Sequence, residues 1–202
     1  MAIQAIEFSG TIKDDSHQVF TSFFDDAINL CIWERELSSQ FEQYATELVN
    51  HNINIVRAVD THEARSILDA ALPGHPQKSA FLEDLLLLVD MTSCLFECDS
   101  VGLRLAKLDR AMCPKFHTDK ISGRLICTYV GAATQWLDSE YPQKSSKDLI
   151  NSEQHRVMQA SSGDVLLLKG EAWPENENNG IVHRSPACNQ ADARLLLTID
   201  PM

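Results

Sequence analysis

Residues 113–131 read CPKFHTDKISGRLICTYVG, and the rest of the chain takes its meaning from this stretch. Within it, Phe116-His117-Thr118-Asp119 places a histidine and an aspartate two positions apart. Side chains alternate between faces along a strand, so a strand over Lys115 to Asp119 turns His117 and Asp119 to one side, where both can hold one ion. A second apolar run, Arg124 to Val130, follows after Ser122-Gly123. Three residues make a weak motif by themselves, so the specificity has to come from the surroundings.

Working outward toward the C-terminus, the chain keeps a β-type pattern of short runs broken by turn residues. Strands are predicted at Val101 to Leu108, Lys115 to Asp119, Arg124 to Val130, Arg156 to Gln159, Val165 to Lys169, Ile181 to His183 and Arg194 to Ile199. Gly163-Asp164 is a turn signal directly before Val165-Leu166-Leu167-Leu168. Two polar connections, Asp138 to Gln154 and Gly170 to Gly180, interrupt the strands and would border any site at that end of the fold.

Outward in the other direction, the first hundred residues carry helical periods. Ser39 with Glu42 has capping-box spacing, and Phe41, Tyr44, Ala45, Leu48 and Val49 then form a stripe. Asp60 with Glu63 repeats the device before Ala64, Ile67, Leu68, Ala71 and Leu72, a run closed by Pro73-Gly74. Ser79 to about Phe96 reads as a third helix, with Phe81, Leu85, Leu88, Val89, Thr92 and Leu95 on a wide face. Ala27 to Trp33 and Ile53 to Val59 are predicted strands. The expectation is one domain over 1–202: a mainly helical layer at 1–100 and a β core at 101–202.

Composition narrows the function. The chain has 202 residues and a formal net charge of −12, which repels phosphate backbones and anionic lipid. Nucleic acid is therefore not an expected partner. The longest aliphatic run, Leu85 to Val89, is far short of the roughly 20 residues a membrane helix needs. The first fifteen residues show no basic region followed by an apolar one, so the expected compartment is the cytoplasm. The six cysteines are read as reduced thiols, mostly small core residues; Cys94 and Cys98 lack the second pair that would complete a zinc finger.

The segments CPKFHTDKISGRLICTYVG, ATQWL, GDVLLLKG and HRSPA resemble a bacterial family, domain of unknown function 1826, best over residues 100–200. More broadly, the order H-x-D, strand, polar excursion, Gly-Asp turn, strand, His183, Arg194 resembles the iron(II)- and 2-oxoglutarate-dependent dioxygenases. That resemblance implies an α+β protein with a double-stranded β-helix (jelly-roll, cupin-like) core and N-terminal helices packed outside one sheet. It also implies a facial triad of His117, Asp119 and His183 around Fe(II), with 2-oxoglutarate as co-substrate. Arg194, eleven residues past His183, is the expected partner of the keto acid's remote carboxylate, its rigid fork matching a carboxylate bidentately. Arg124 is the competitor, and Tyr129, Thr134 and Trp136 are candidates to line the mouth of the barrel. Two imidazoles and one carboxylate suit Fe(II) and leave open positions.

A second reading uses the same three ligands, with Cys113 as a fourth, to hold Zn(II) in a cupin-like protein of metal homeostasis or sensing. A third makes Cys113 or Cys127 a nucleophile with His117 as base, although no known cysteine signature surrounds either. Cys188, five residues past His183, is a weaker ligand candidate, and Arg184 is expected to point away from the ion. The substrate class is left as a small molecule or a protein, and a homodimer stays open.

Overall fold

The structure, a computed structural model, describes residues 10–138, 145–151 and 155–202. Most of the Asp138 to Gln154 excursion, and the first nine residues, lie outside this range. The strands are β1 (Thr11–Asp14), β2 (Leu30–Trp33), β3 (Asn54–Asp60), β4 (Ser100–Leu108), β5 (Gly123–Val130), β6 (Gln135–Asp138), β7 (Arg156–Gln159), β8 (Val165–Lys169), β9 (His183–Arg184) and β10 (Arg194–Pro201). They form a seven-stranded sheet in the order β1-β2-β8-β5-β10-β4-β3 and a three-stranded sheet in the order β7-β6-β9. All pairings are antiparallel except β1 with β2. The helices are α1 (Ser39–Asn50), α2 (Ala64–Ala71), α3 (Lys78–Phe96) and α4 (Ser146–Ile150), with a 3-10 helix at His17–Phe24.

The sequence of each strand follows from what covers it. Strand β8 is VLLLK with every residue buried, because both faces of the central strands are covered. Odd-numbered residues of the large sheet, among them Leu105, Leu125, Tyr129, Leu167 and Leu197, share one buried cluster with Tyr44, Leu48, Phe81, Leu85 and Leu88 of the helices. Even-numbered Ile126, Leu166, Leu168 and Leu196 share a second cluster with Trp136, Ala133, Ala160 and Ile181. The edge strand β3 buries only Ile55 and Val59 and reads as a half-covered alternation.

Several local expectations shift. Lys115 to Asp119 does not form a ladder strand: its strand-like contact is an isolated bridge between His117 and His183. Pro114 has no N–H to donate, and Cys113 meets the partner segment through its carbonyl alone, which accepts from Ser185 N at 2.9 Å. The α1 cap is Ser38, whose Oγ accepts from Phe41 N, one residue ahead of the predicted Ser39. Asp60 does not cap α2; its carboxylate accepts from His62 N and turns the chain out of β3. Strands β1 and β6, helix α4 and the 3-10 helix were not predicted; each is short, and burial or pairing with distant segments decides it. Among the described residues, no helix is long and apolar enough to cross a membrane.

Candidate metal and anion site

The bridge between His117 and His183 builds the site. Each N–H donates to the other's carbonyl, at 3.0 and 2.9 Å, and the two rings stand 4.6 Å apart. His183 also pairs with Trp136 across β9 and β6. Directly opposed residues share a face, and Trp136 packs toward the large sheet, so both imidazoles project into the space between the sheets. Asp119 follows two residues on and places Oδ1 3.6 Å from His117 Nε2 and Oδ2 3.6 Å from His183 Nε2. The ligand atoms of all three lie within 4.8 Å of one another, the one such group of three among the described residues.

Each imidazole is oriented by a backbone oxygen. His117 Nδ1 lies 3.0 Å from Lys115 O, and His183 Nδ1 lies 3.1 Å from Ile181 O. A carbonyl only accepts, so Nδ1 carries the proton and the Nε2 lone pair faces the centre of the group. Burial pulls the His183 pKa below the usual imidazole range; Asp119 pulls the other way without reversing it. A neutral ring is the form that binds a metal.

Asp119 is held from behind. Its backbone carbonyl accepts from Glu171 N at 2.9 Å, while Thr118 donates to the Glu171 carboxylate at 2.7 Å. Gly170 makes this stitch possible, since a Cβ there would lie 2.1 Å from Ile121 O. The 170–180 connection is thus tied to the loop that carries Asp119. Arg124 adds a side-chain tie: its Nη1 donates to Asp119 Oδ2 at 2.7 Å, while Nε and Nη2 both donate to Asp200 at 2.6 Å. Burial opposes the Arg124 charge, but the two carboxylates outweigh it and raise its pKa.

Arg194 is the unusual residue. It opens β10 on the face shared by Leu196, Ile126 and Thr128, is 0% exposed, and forms one hydrogen bond, Nη2 to Thr128 Oγ1 at 3.3 Å. Its Nε and Nη1 are buried with no partner among the described residues. Burial draws its pKa down, as expected for a cation without a counter-ion. Gly131, at φ +83°, clears its path: a Cβ there would stand 3.0 Å from Arg194 Cγ. The Trp136 indole N–H is likewise buried and unpartnered.

The remaining candidates fall elsewhere. Tyr129 does not reach the site; strand alternation turns it to the helical face, where its hydroxyl donates to Asp84 of α3 at 2.6 Å. Thr134 is buried. Arg184 points away as expected, lying 4.2 Å over the Phe116 ring and donating to Gln135. Neither Cys113 nor Cys188 joins the ligand group, so the four-ligand set that a closed zinc site needs is not formed among the described residues. Cys127 is sealed in the helical core with its thiol pushed up to about 12 by burial, the opposite of an activated nucleophile. Only Cys31 and Cys127 are the buried thiols expected; Cys94 and Cys113 are exposed. Asp200, Thr128 and Glu171 escaped the sequence reading, because nothing local ties them to His117 or Asp119.

The fold is shared with two solved structures. The dioxygenase for auxin oxidation 1 from Arabidopsis thaliana, solved as a 2-oxoglutarate binary complex, matches with a TM-score of 0.57 at 11% identity, covering 95% of this chain and 91% of that one. A C-terminally truncated protein from Neurospora crassa, solved in apo form, matches at 0.53 and 10% identity, covering 100% and 98%. This is a mixed α+β protein with a large sheet that shares its fold with these two structures. Residues 14–200 match the family described as protein of unknown function DUF1826, and the chain belongs to that family. No curated protein matches its sequence.

Proposed function

We propose that this protein is a non-haem iron(II)- and 2-oxoglutarate-dependent dioxygenase built on a double-stranded β-helix, with the N-terminal helices as its outer scaffold. The observation that carries this reading is the pairing of a three-ligand His/Asp/His group with a buried guanidinium that lacks a counter-ion among the described residues, both facing the space between the sheets. An unpaired buried charge is costly, so a fold that retains one is shaped for an anion that arrives later. The donor set fits iron(II): two neutral imidazoles and one carboxylate, with no fourth protein ligand among the described residues to close the sphere.

His117, Asp119 and His183 would hold the metal, which when bound supplies positions for a bidentate keto acid and the means to reduce dioxygen. The backbone carbonyls of Lys115 and Ile181 keep both Nε2 atoms free for it. Arg194, with Thr128, would take the distal carboxylate of 2-oxoglutarate through its fork and thereby orient the keto group. The apolar wall of Ile126, Leu166, Trp136 and Leu196 excludes water from that side.

The test is aerobic 2-oxoglutarate consumption by the iron(II)-loaded protein, expected to be measurable without a primary substrate and lost in His183→Ala. A loaded protein that neither binds nor consumes 2-oxoglutarate overturns the reading.

A further inference from the structure

We infer that Arg124, anchored by Asp200, is a positioning residue that holds Asp119 as a ligand through one oxygen only, keeping the remaining coordination positions open. The inference rests on the metal-site reading above.

Cross-strand register brings the pair together. Leu125 of β5 lies opposite Ile199 of β10, so Arg124 and Asp200 are the next residues along and share a face. The Arg124 fork is filled by Asp200: Nε and Nη2 take its two oxygens at 2.6 Å each. As a strand staple the arginine is already complete. Its third nitrogen, Nη1, goes instead to Asp119 Oδ2 at 2.7 Å, an oxygen that also lies 3.6 Å from His183 Nε2, leaving Oδ1, which lies 3.6 Å from His117 Nε2, without an arginine partner. One oxygen of the carboxylate is thus occupied by a donor that is itself fixed by two hydrogen bonds.

A carboxylate free to rotate can chelate through both oxygens and consume a position that a keto acid or dioxygen requires. Arg124 prevents this without touching the metal, and Asp200 keeps Arg124 from swinging away. With all three nitrogens engaged, Arg124 is a poor anchor for a keto acid, which leaves that role to Arg194. These three side chains are 16 to 30% exposed, and the interactions place one nitrogen on the proposed ligand.

The test uses Co(II) alone, then 2-oxoglutarate added to the Co(II) protein, read by titration and by the visible Co(II) spectrum. Arg124→Met is expected to alter the spectrum and to weaken 2-oxoglutarate binding on the Co(II) form roughly 10-fold or more, the usual scale for residues supporting metal ligands. Arg124→Lys, which can still donate to Asp119, is expected to recover part of both. Asp200→Asn, which retains an acceptor oxygen, guards against a fold defect and is expected to give a smaller shift in the same direction. If Arg124→Met and Asp200→Asn fold, bind Co(II) and keep the parent spectrum and 2-oxoglutarate affinity, the inference fails while the metal reading stands. A parent protein that binds no Co(II) overturns both.

Discussion

A single residue carries two opposed demands here. Arg194 is fully buried with two nitrogens unpartnered among the described residues, so it costs the free protein stability, and under the proposed function it would offer an anion a site already desolvated. Arg194→Met is therefore expected to leave stability in denaturant equal or higher, while raising the dissociation constant for 2-oxoglutarate roughly 30-fold or more, about 2 kcal/mol, the lower end for removing one partner of a buried charge pair. Isothermal titration together with urea unfolding reads both signs at once. A purely structural arginine would lose stability on truncation. The residue was visible in the sequence as a candidate because of its distance from His183. That its guanidinium is orphaned could not be read there, since partnership depends on what the other strands and loops bring alongside.

At the scale of elements, the helical layer is tied to the sheet by a polar knot as well as by packing. Asp84 of α3 accepts both Arg35 Nη1 and Nη2 and the Tyr129 hydroxyl of β5, while Arg35 Nε donates to Gly163 O at 2.6 Å. Both charges are mostly buried, with side-chain exposures of 11 and 13%. Asp84→Ala removes one partner and leaves the Arg35 charge behind; the expected loss is about 3–5 kcal/mol in urea-induced unfolding. Tyr129→Phe, which deletes one hydrogen bond from the same knot, is expected to cost about 1 kcal/mol. The helices α1 and α3 and the strands β3, β5, β7 and β8 were legible from period and turn residues. Strand β6 and the 3-10 helix were not, because a four-residue QWLD and an eight-residue HQVFTSFF carry too few periods to betray which partner covers them.

At the scale of the whole molecule, the proposed site would couple to folding through protons and metal. Burial holds the folded-state pKa of His183 below its ordinary 6.5, so the unfolded chain takes up this proton first as pH falls. The metal-free protein should accordingly lose stability as pH drops from 6.5 toward the lower folded value, with no further contribution from this group above 6.5. Thermal melts in chelator from about pH 8 to about pH 5 are the measurement, and His183→Asn should flatten that part of the slope. At neutral pH, metal at about 100 times its dissociation constant should add roughly 2.7 kcal/mol to the parent protein and nothing to the variant.

By itself the sequence determined the ingredients: an acidic chain, with helical periods in its first half and a β pattern after residue 100, carrying H-x-D, a later His183 and Arg194 in a suggestive order. Those properties are local or additive, and period, charge and spacing survive without a partner. What only the tertiary structure decided is which groups meet. The Asp119–Arg124–Asp200 chain, the carbonyls that orient both imidazoles, the face on which Tyr129 lies and the isolation of Arg194 all follow from strand register and from the closing of one sheet over another. Contacts between residues dozens of positions apart leave no periodic trace in the chain that forms them.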